Sequence, residues 1–235
     1  MQYQLAKPNY EFGTVEFKVD DIFSKKIKPP FPNTSFFMIL CGKPASGKTS
    51  LLVNMLKDKN IYRKVFDKII LACPASSRKS IKNDIFADLE YQYDELSPEL
   101  FNKVNEIGQE FAMDEGKRKK HVLLVIDDLT AYLKDYESEL KNLAFNRRHI
   151  HLSIVLLTQN LRQVPRTLRF TVTHLIFFKS SNNIELNLIN EEYLPLLKKD
   201  FFNLMKFIFD KAHTFIVIDK ENEIYYKNLQ QIILP

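Results

Sequence analysis

The sequence predicts an α/β fold: a three-layer sandwich around a mostly parallel central sheet, closed by a C-terminal β-hairpin. Three observations predict it. Five apolar, β-rich runs recur along the 235 residues with helical stretches between them. Their hydrophobicity is continuous rather than alternating, the mark of strands buried on both faces. The first run passes straight into a glycine-bearing turn and a stretch that can start a helix, and two late apolar runs flank a short charged turn.

The elements follow in order. Residues 1–34 read as an N-terminal extension to a domain at 35–235. The proline-rich IKPPFPNTS (27–35) leads into the first core strand, and the extension is expected to pack on the core or on a neighbour. FFMILC (36–41) and KIILAC (68–73) are the first two strands. The segment Ser76–Lys120 is charged and reads as mostly helical. Within it, SPELFNKVNEIGQEFAMDE opens on a Ser-Pro cap signal, and nothing in it has a catalytic signature. HVLLVI (121–126), LSIVLL (152–157) and THLIFF (173–178) complete the buried strands. Asn182–Phe209 reads as helical with a break at Pro195. HTFIVID (213–219) and EIYYKN (223–228), split by KENE, form the closing hairpin.

Composition narrows the function classes. The hydrophobic fraction of 45% is ample for a core. No apolar run approaches the ~18 residues of a membrane span, and MQYQLAKPNYEFG lacks the apolar core of a signal peptide. Cys41 and Cys73 both sit in strand-like runs and read as buried reduced thiols, so an intracellular setting is expected. Two thiols and scattered histidines argue against zinc. The net charge of +5 is mild, but its distribution is uneven. From Lys141 to Arg169 there are six basic residues and no acidic ones, and GKRKKH (116–121) is a second cluster. Such patches suit a polyanion or a solvated face.

The turn after the first strand carries the chemistry. Gly42, Gly47, Lys48 and Thr49 fill the pattern G-x-x-x-x-G-K-[ST]. A strand entering such a loop and then a helix points backbone N–H groups, and the positive end of the helix dipole, at one spot. Gly42, Lys43, Pro44, Ala45, Ser46, Gly47, Lys48, Thr49 and Ser50 therefore read as a phosphate cradle. Lys48 would reach the β- and γ-phosphates, and Thr49 would hold Mg²⁺.

HVLLVIDDLT supplies a second part. Asp127 ends an apolar strand and fits the Mg²⁺-binding acid of P-loop folds. Asp128 is placed to orient or deprotonate an attacking water as general base. A third part is LSIVLLTQN, whose Gln159 leaves a buried strand where it can meet the γ-phosphate or the water. Together these point to the P-loop NTPases of the ASCE division, RecA-like, with one strand between cradle and acid strands.

The ordered set GKPASGKTS, LLVIDDL and NRRHIHLSIVLLTQNLRQVPRTLRFTVTHLIFFK resembles the genome-packaging ATPases of poxviruses, other large DNA viruses and virophages, within the FtsK/HerA superfamily. The resemblance runs from about Ser35 to Asp219. It implies ATP-driven translocation of double-stranded DNA, without sequence preference, into a preformed capsid. It also implies a homo-oligomeric ring, pentamer or hexamer, with ATP and Mg²⁺ as cofactors and a capsid vertex protein as a partner. The setting would be the host cytoplasm, a viral factory or the virion. Lys48, Thr49, Asp127, Asp128 and Gln159 would take the roles given above, although many FtsK-like motors carry Glu where this chain has Asp128. A ring motor uses a neighbour's arginine at the transition state. Arg147 and Arg148 before the fourth strand, and Arg162 and Arg166 after it, are the candidates. A helicase or recombination ATPase on the same core, and a nucleotide-dependent assembly switch, are the rival readings.

Overall fold

A computed structural model describes residues 22–78, 85–116 and 118–233. The strands are β1 (Phe37–Cys41), β2 (Lys68–Ala72), β3 (Tyr91–Tyr93), β4 (Val122–Asp127), β5 (Leu152–Thr158), β6 (His174–Phe178), β7 (Phe215–Asp219), β8 (Ile224–Lys227) and β9 (Gln230–Ile232). The helices are α1 (Lys48–Lys57), α2 (Ala75–Arg78), α3 (Pro98–Met113), α4 (Glu137–Asn146), α5 (Arg166–Thr171), α6 (Asn183–Glu192) and α7 (Lys198–Ile208). Among the described residues the strands form one sheet of order β3-β2-β4-β5-β1-β6-β7-β8-β9. The six strands from β3 to β6 run parallel. The last three turn antiparallel, each on its predecessor.

Alternation along β1 shows why its hydrophobicity is continuous. Phe37, Ile39 and Cys41 enter one core with side chains of α3 to α7. Phe36, Met38 and Leu40 enter a second core on the other face with Leu52, Met55 and Leu56 of α1. Each strand residue is needed on one face or the other. The predicted three layers are present. Both cysteines are buried and unbridged, and burial pushes the Cys41 thiol far above its ordinary range.

The predicted α3 forms where its cap signal placed it. Ser97 Oγ accepts the Leu100 N–H at 3.3 Å, and Pro98 takes the first helical position, where its missing N–H costs nothing. The break at Pro195 separates α6 from α7. Residues 1–21 of the expected extension lie outside the described residues. The part from residue 22 packs on the core domain itself: Phe23 meets Phe66 at 5.6 Å between ring centroids, and Phe31 meets Tyr62 at 6.3 Å.

One expectation needs correction, and a second, the closing hairpin, is present and extended. Ser76–Lys120 is not simply helical, because Tyr91–Tyr93 adds β3 in parallel to β2. The strand has three residues, all half-buried at the sheet edge, and so leaves no apolar run to read. The closing hairpin is part of a three-stranded meander, because Gln230–Ile232 adds β9 to β8. Its residues are largely exposed.

Candidate active site

Parallel strands bring their C-terminal ends to one edge, and the loops that leave them meet there. The cradle follows β1. Gly47 has φ 107° and Ala45 φ 59°, so the loop uses the left-handed region that glycine reaches without strain. A Cβ on Gly42 would stand 2.7 Å from Phe178 Cβ and 2.7 Å from Ser46 Oγ. Glycine is required there for close approach to β6. Lys48 Nζ donates to Gly42 O at 2.7 Å and Lys43 O at 3.2 Å, which holds its ammonium over the loop. Burial lowers the Lys48 pKa, and Asp127 opposes that shift.

The acid strand β4 lies one strand away, with β5 between it and β1. This is the arrangement the sequence predicts. Thr49 Oγ1 donates to Asp127 Oδ2 at 3.5 Å. Burial, and then the charge of Asp128, push the Asp127 carboxyl up to about 6, while Lys48 and Thr49 pull the other way. Gln159, past the end of β5, donates from Nε2 to Asp128 Oδ1 at 3.4 Å. Lys48, Thr49, Asp127, Asp128 and Gln159 thus line one cleft of about 250 Å³. The hydroxyl of Thr49 and the carboxylate of Asp127 are hard oxygen donors that fit Mg²⁺, which takes its remaining ligands from phosphate and water. Among the described residues no cluster of three or more His, Cys, Asp or Glu could hold a metal by itself.

Two side chains of the cleft were not anticipated. Ser77 of α2 donates to Asp128 Oδ2 at 2.6 Å. Thr130 donates to Thr158 Oγ1 at 3.1 Å, and both line the same cleft. Ser77 is 51 residues from Asp128 in sequence. The sequence signal that could have found it is the polar turn PASS directly after an apolar strand.

The arginines do not gather at this cleft. Arg147 and Arg148 precede β5, whose seven residues separate them from its C-terminal end by roughly 20 Å. Arg147 is buried, donates to Ala144 O at 2.9 Å, and with Arg148 reaches Glu221 Oε1 at 3.4 and 3.2 Å. Arg162 and Arg166 follow β5 and are exposed, Arg166 lying over the Phe170 ring at 5.0 Å. In the second basic cluster Arg118 pairs with Asp67, and Lys120 pairs with Asp114 at 2.8 Å.

A strand, a glycine-bearing loop and a helix, with acids at the end of the strand next but one, define a P-loop NTPase of the additional-strand type. The chain belongs to the poxvirus A32 protein family, whose profile matches residues 27–234. It is 27% identical over 175 residues to the DNA packaging protein OPG160 of vaccinia virus strain Copenhagen, covering 74% of this chain and 64% of that protein. It is 24% identical over 146 residues to the uncharacterized protein 015R of frog virus 3, covering 62% and 44%. The chain therefore spans between about half and two thirds of these relatives' length.

Among solved structures, the genome packaging NTPase B204 of Sulfolobus turreted icosahedral virus 2, in complex with AMPPCP, matches with a TM-score of 0.60 at 16% identity, over 86% of this chain and 99% of that one. The pCW3 conjugation coupling protein TcpA with ATPgS matches with a TM-score of 0.58 at 13% identity, over 84% and 59%. At these identities the likeness shows a shared fold. No helix among the described residues is long and apolar enough to cross a membrane.

Proposed function

We propose that this chain hydrolyses ATP to drive double-stranded DNA into a preformed capsid during virion assembly in the infected cell. The observation that carries the reading is the convergence of Lys48, Thr49, Asp127, Asp128 and Gln159 on one cleft in a chain of the A32 family. Lys48 and the cradle N–H groups hold the β- and γ-phosphates. Asp128 takes a proton from a water that Gln159 helps to aim, and the water oxygen bonds to the γ-phosphorus. The bond from that phosphorus to the β,γ-bridging oxygen breaks, giving ADP and phosphate. Thr49 and Asp127 would hold Mg²⁺, which when bound neutralises developing phosphate charge.

Long duplex DNA should stimulate steady-state ATPase activity, and that assay tests the reading. A packaging motor must pass every sequence, so it should hold backbone phosphates rather than bases. Lys141, Arg162 and Arg166 are exposed, and the stretch from Lys141 to Arg169 holds no acidic residue. Duplex affinity should fall steeply between two salt concentrations and vary little with sequence. A flat salt response, or strong preference for one sequence, would count against phosphate tracking.

The proposed assembly is a homo-oligomeric ring, of five or six subunits by family resemblance, docked at a capsid vertex. Arg148, Arg162 and Arg166 remain the open candidates for an arginine acting on a neighbour's γ-phosphate, whereas the buried Arg147 would have to leave Ala144 O and Glu221 to do so. Its guanidinium would grip two phosphate oxygens at once. Specific activity should then rise with protein concentration. A Lys48→Ala subunit should restore turnover to a partner that lacks the finger arginine. Concentration-independent activity that survives all four Arg→Ala changes would overturn the ring site.

A further inference from the structure

Sheet order places Asp128 between two neighbours. β4 lies between β2 and β5, so the turn after β4 is flanked by the loops that leave both strands. Asp128 opens that turn in the left-handed region, with φ 58°, a conformation in which a residue with a side chain is uncommon. Its carboxylate is held from each side. From the β5 side Gln159 reaches Oδ1 at 3.4 Å. From the β2 side the Ser77 hydroxyl reaches Oδ2 at 2.6 Å. That second distance lies in the range of an O–H donor on an ionised oxygen.

We propose that Ser77 is a positioning residue for the water-activating carboxylate of Asp128. The inference deepens the hydrolase reading and rests on it. An aspartate has a short arm, and its carboxylate can rotate about two bonds. To serve as a base it must aim a lone pair at the water that attacks. Each carboxylate oxygen carries about two acceptor sites. One donor on each oxygen therefore fixes the plane and still leaves a site open for water. Ser77 supplies the shorter of the two restraints.

The mounting of Ser77 supports the same role. Its N–H donates to Pro74 O at 2.9 Å, which fixes the turn at the end of β2. The next residue, Arg78, donates from Nη1 to Gln92 Oε1 at 3.1 Å and pairs with Asp94. The turn that presents the hydroxyl is thus tied to the edge strand β3. The sheet edge sets the aim of a group at the catalytic cleft.

The test uses the full chain with long duplex DNA, and compares the parent with Ser77→Ala, Ser77→Cys and Ser77→Thr. Binding of a slowly hydrolysed ATP analogue reports folding and an intact cradle. Ser77→Ala should lower kcat about tenfold, the size expected for one hydrogen bond to a charged group. KM and analogue affinity should stay within about twofold, because the contact is made to the base and not to the nucleotide. Ser77→Thr keeps the hydroxyl and should restore most of kcat. Ser77→Cys keeps the size without a strong donor and should follow Ser77→Ala. An unchanged kcat in both Ser77→Ala and Ser77→Cys would overturn the proposal. So would a raised kcat, which would make Ser77 a brake, or a loss confined to KM. A parent protein that does not hydrolyse ATP would instead overturn the hydrolase reading.

Discussion

Lys48→Ala is expected to bring ATP turnover to background. Lys48 is the cation of the cradle, and its ammonium already sits over the loop carbonyls of Gly42 and Lys43. A phosphate chain in the cradle places several negative oxygens beside it. Charge on those oxygens changes most as the γ-phosphoryl is transferred. A preorganised positive group at that point acts in a half-buried site, where it is worth more than in water. Loss of one such group costs about 10²–10³ in rate, and loss of a full charge should cost at least as much. Nucleotide affinity should weaken as well, since the ground-state phosphates lose the same partner. Steady-state ATPase and equilibrium binding on the purified variant measure both. Turnover within about tenfold of the parent would remove Lys48 from the mechanism.

Asp128→Asn should separate binding from chemistry. Asp127 and Thr49 remain in place, so a nucleotide should bind with nearly parental affinity. The amide cannot accept the proton of the attacking water, and hydrolysis should fall by about 10²–10⁴-fold. The change is nearly isosteric, and the amide oxygen can still accept from Ser77. The expected signature is therefore a protein that holds ATP and does not turn it over. Near-normal turnover by Asp128→Asn would show that another group takes the proton. Asp127→Asn should behave differently, with weaker Mg²⁺-dependent binding, because that carboxylate faces Thr49 at 3.5 Å.

How much of this was legible depends on where each residue lies in the sheet. The strands from β1 to β6 other than β3 were readable because burial on both faces demands apolar residues at nearly every position. Tyr91–Tyr93 and Gln230–Ile232 belong to or near the sheet margins, where solvent relaxes that demand. The cradle and its acids were readable because each sits just after a buried strand, and parallel strands send such positions to one edge. Ser77 obeys the same rule after β2, but a serine in a polar turn carries no chemical signature of its own. Its role depends on β2 being next to β4, and that adjacency is a property of the assembled sheet. The arginines show the reverse case. Proximity to β5 in sequence is symmetric, but the strand has direction. Residues before it and residues after it lie at opposite edges.

The site motifs all fall between Gly42 and Gln159, which invites the idea that a shorter piece would suffice to hold nucleotide. The antiparallel β7 argues otherwise. It pairs with all five residues of β6, and β6 is the immediate neighbour of the strand that carries the cradle. In front of β7, His213 Nδ1 lies 3.2 Å from Ser46 O, so a residue from the far end of the chain props the loop. A fragment cut after α7 would keep every residue proposed to act on ATP and lose this support. It would also leave Leu175, Ile176 and Phe177, all buried in the whole chain, on a bare strand margin open to pairing with other chains. The smallest dissectable nucleotide-binding module is consequently much longer than its motifs, and domain-trimming for crystallography or fusion should spare the C-terminal strands.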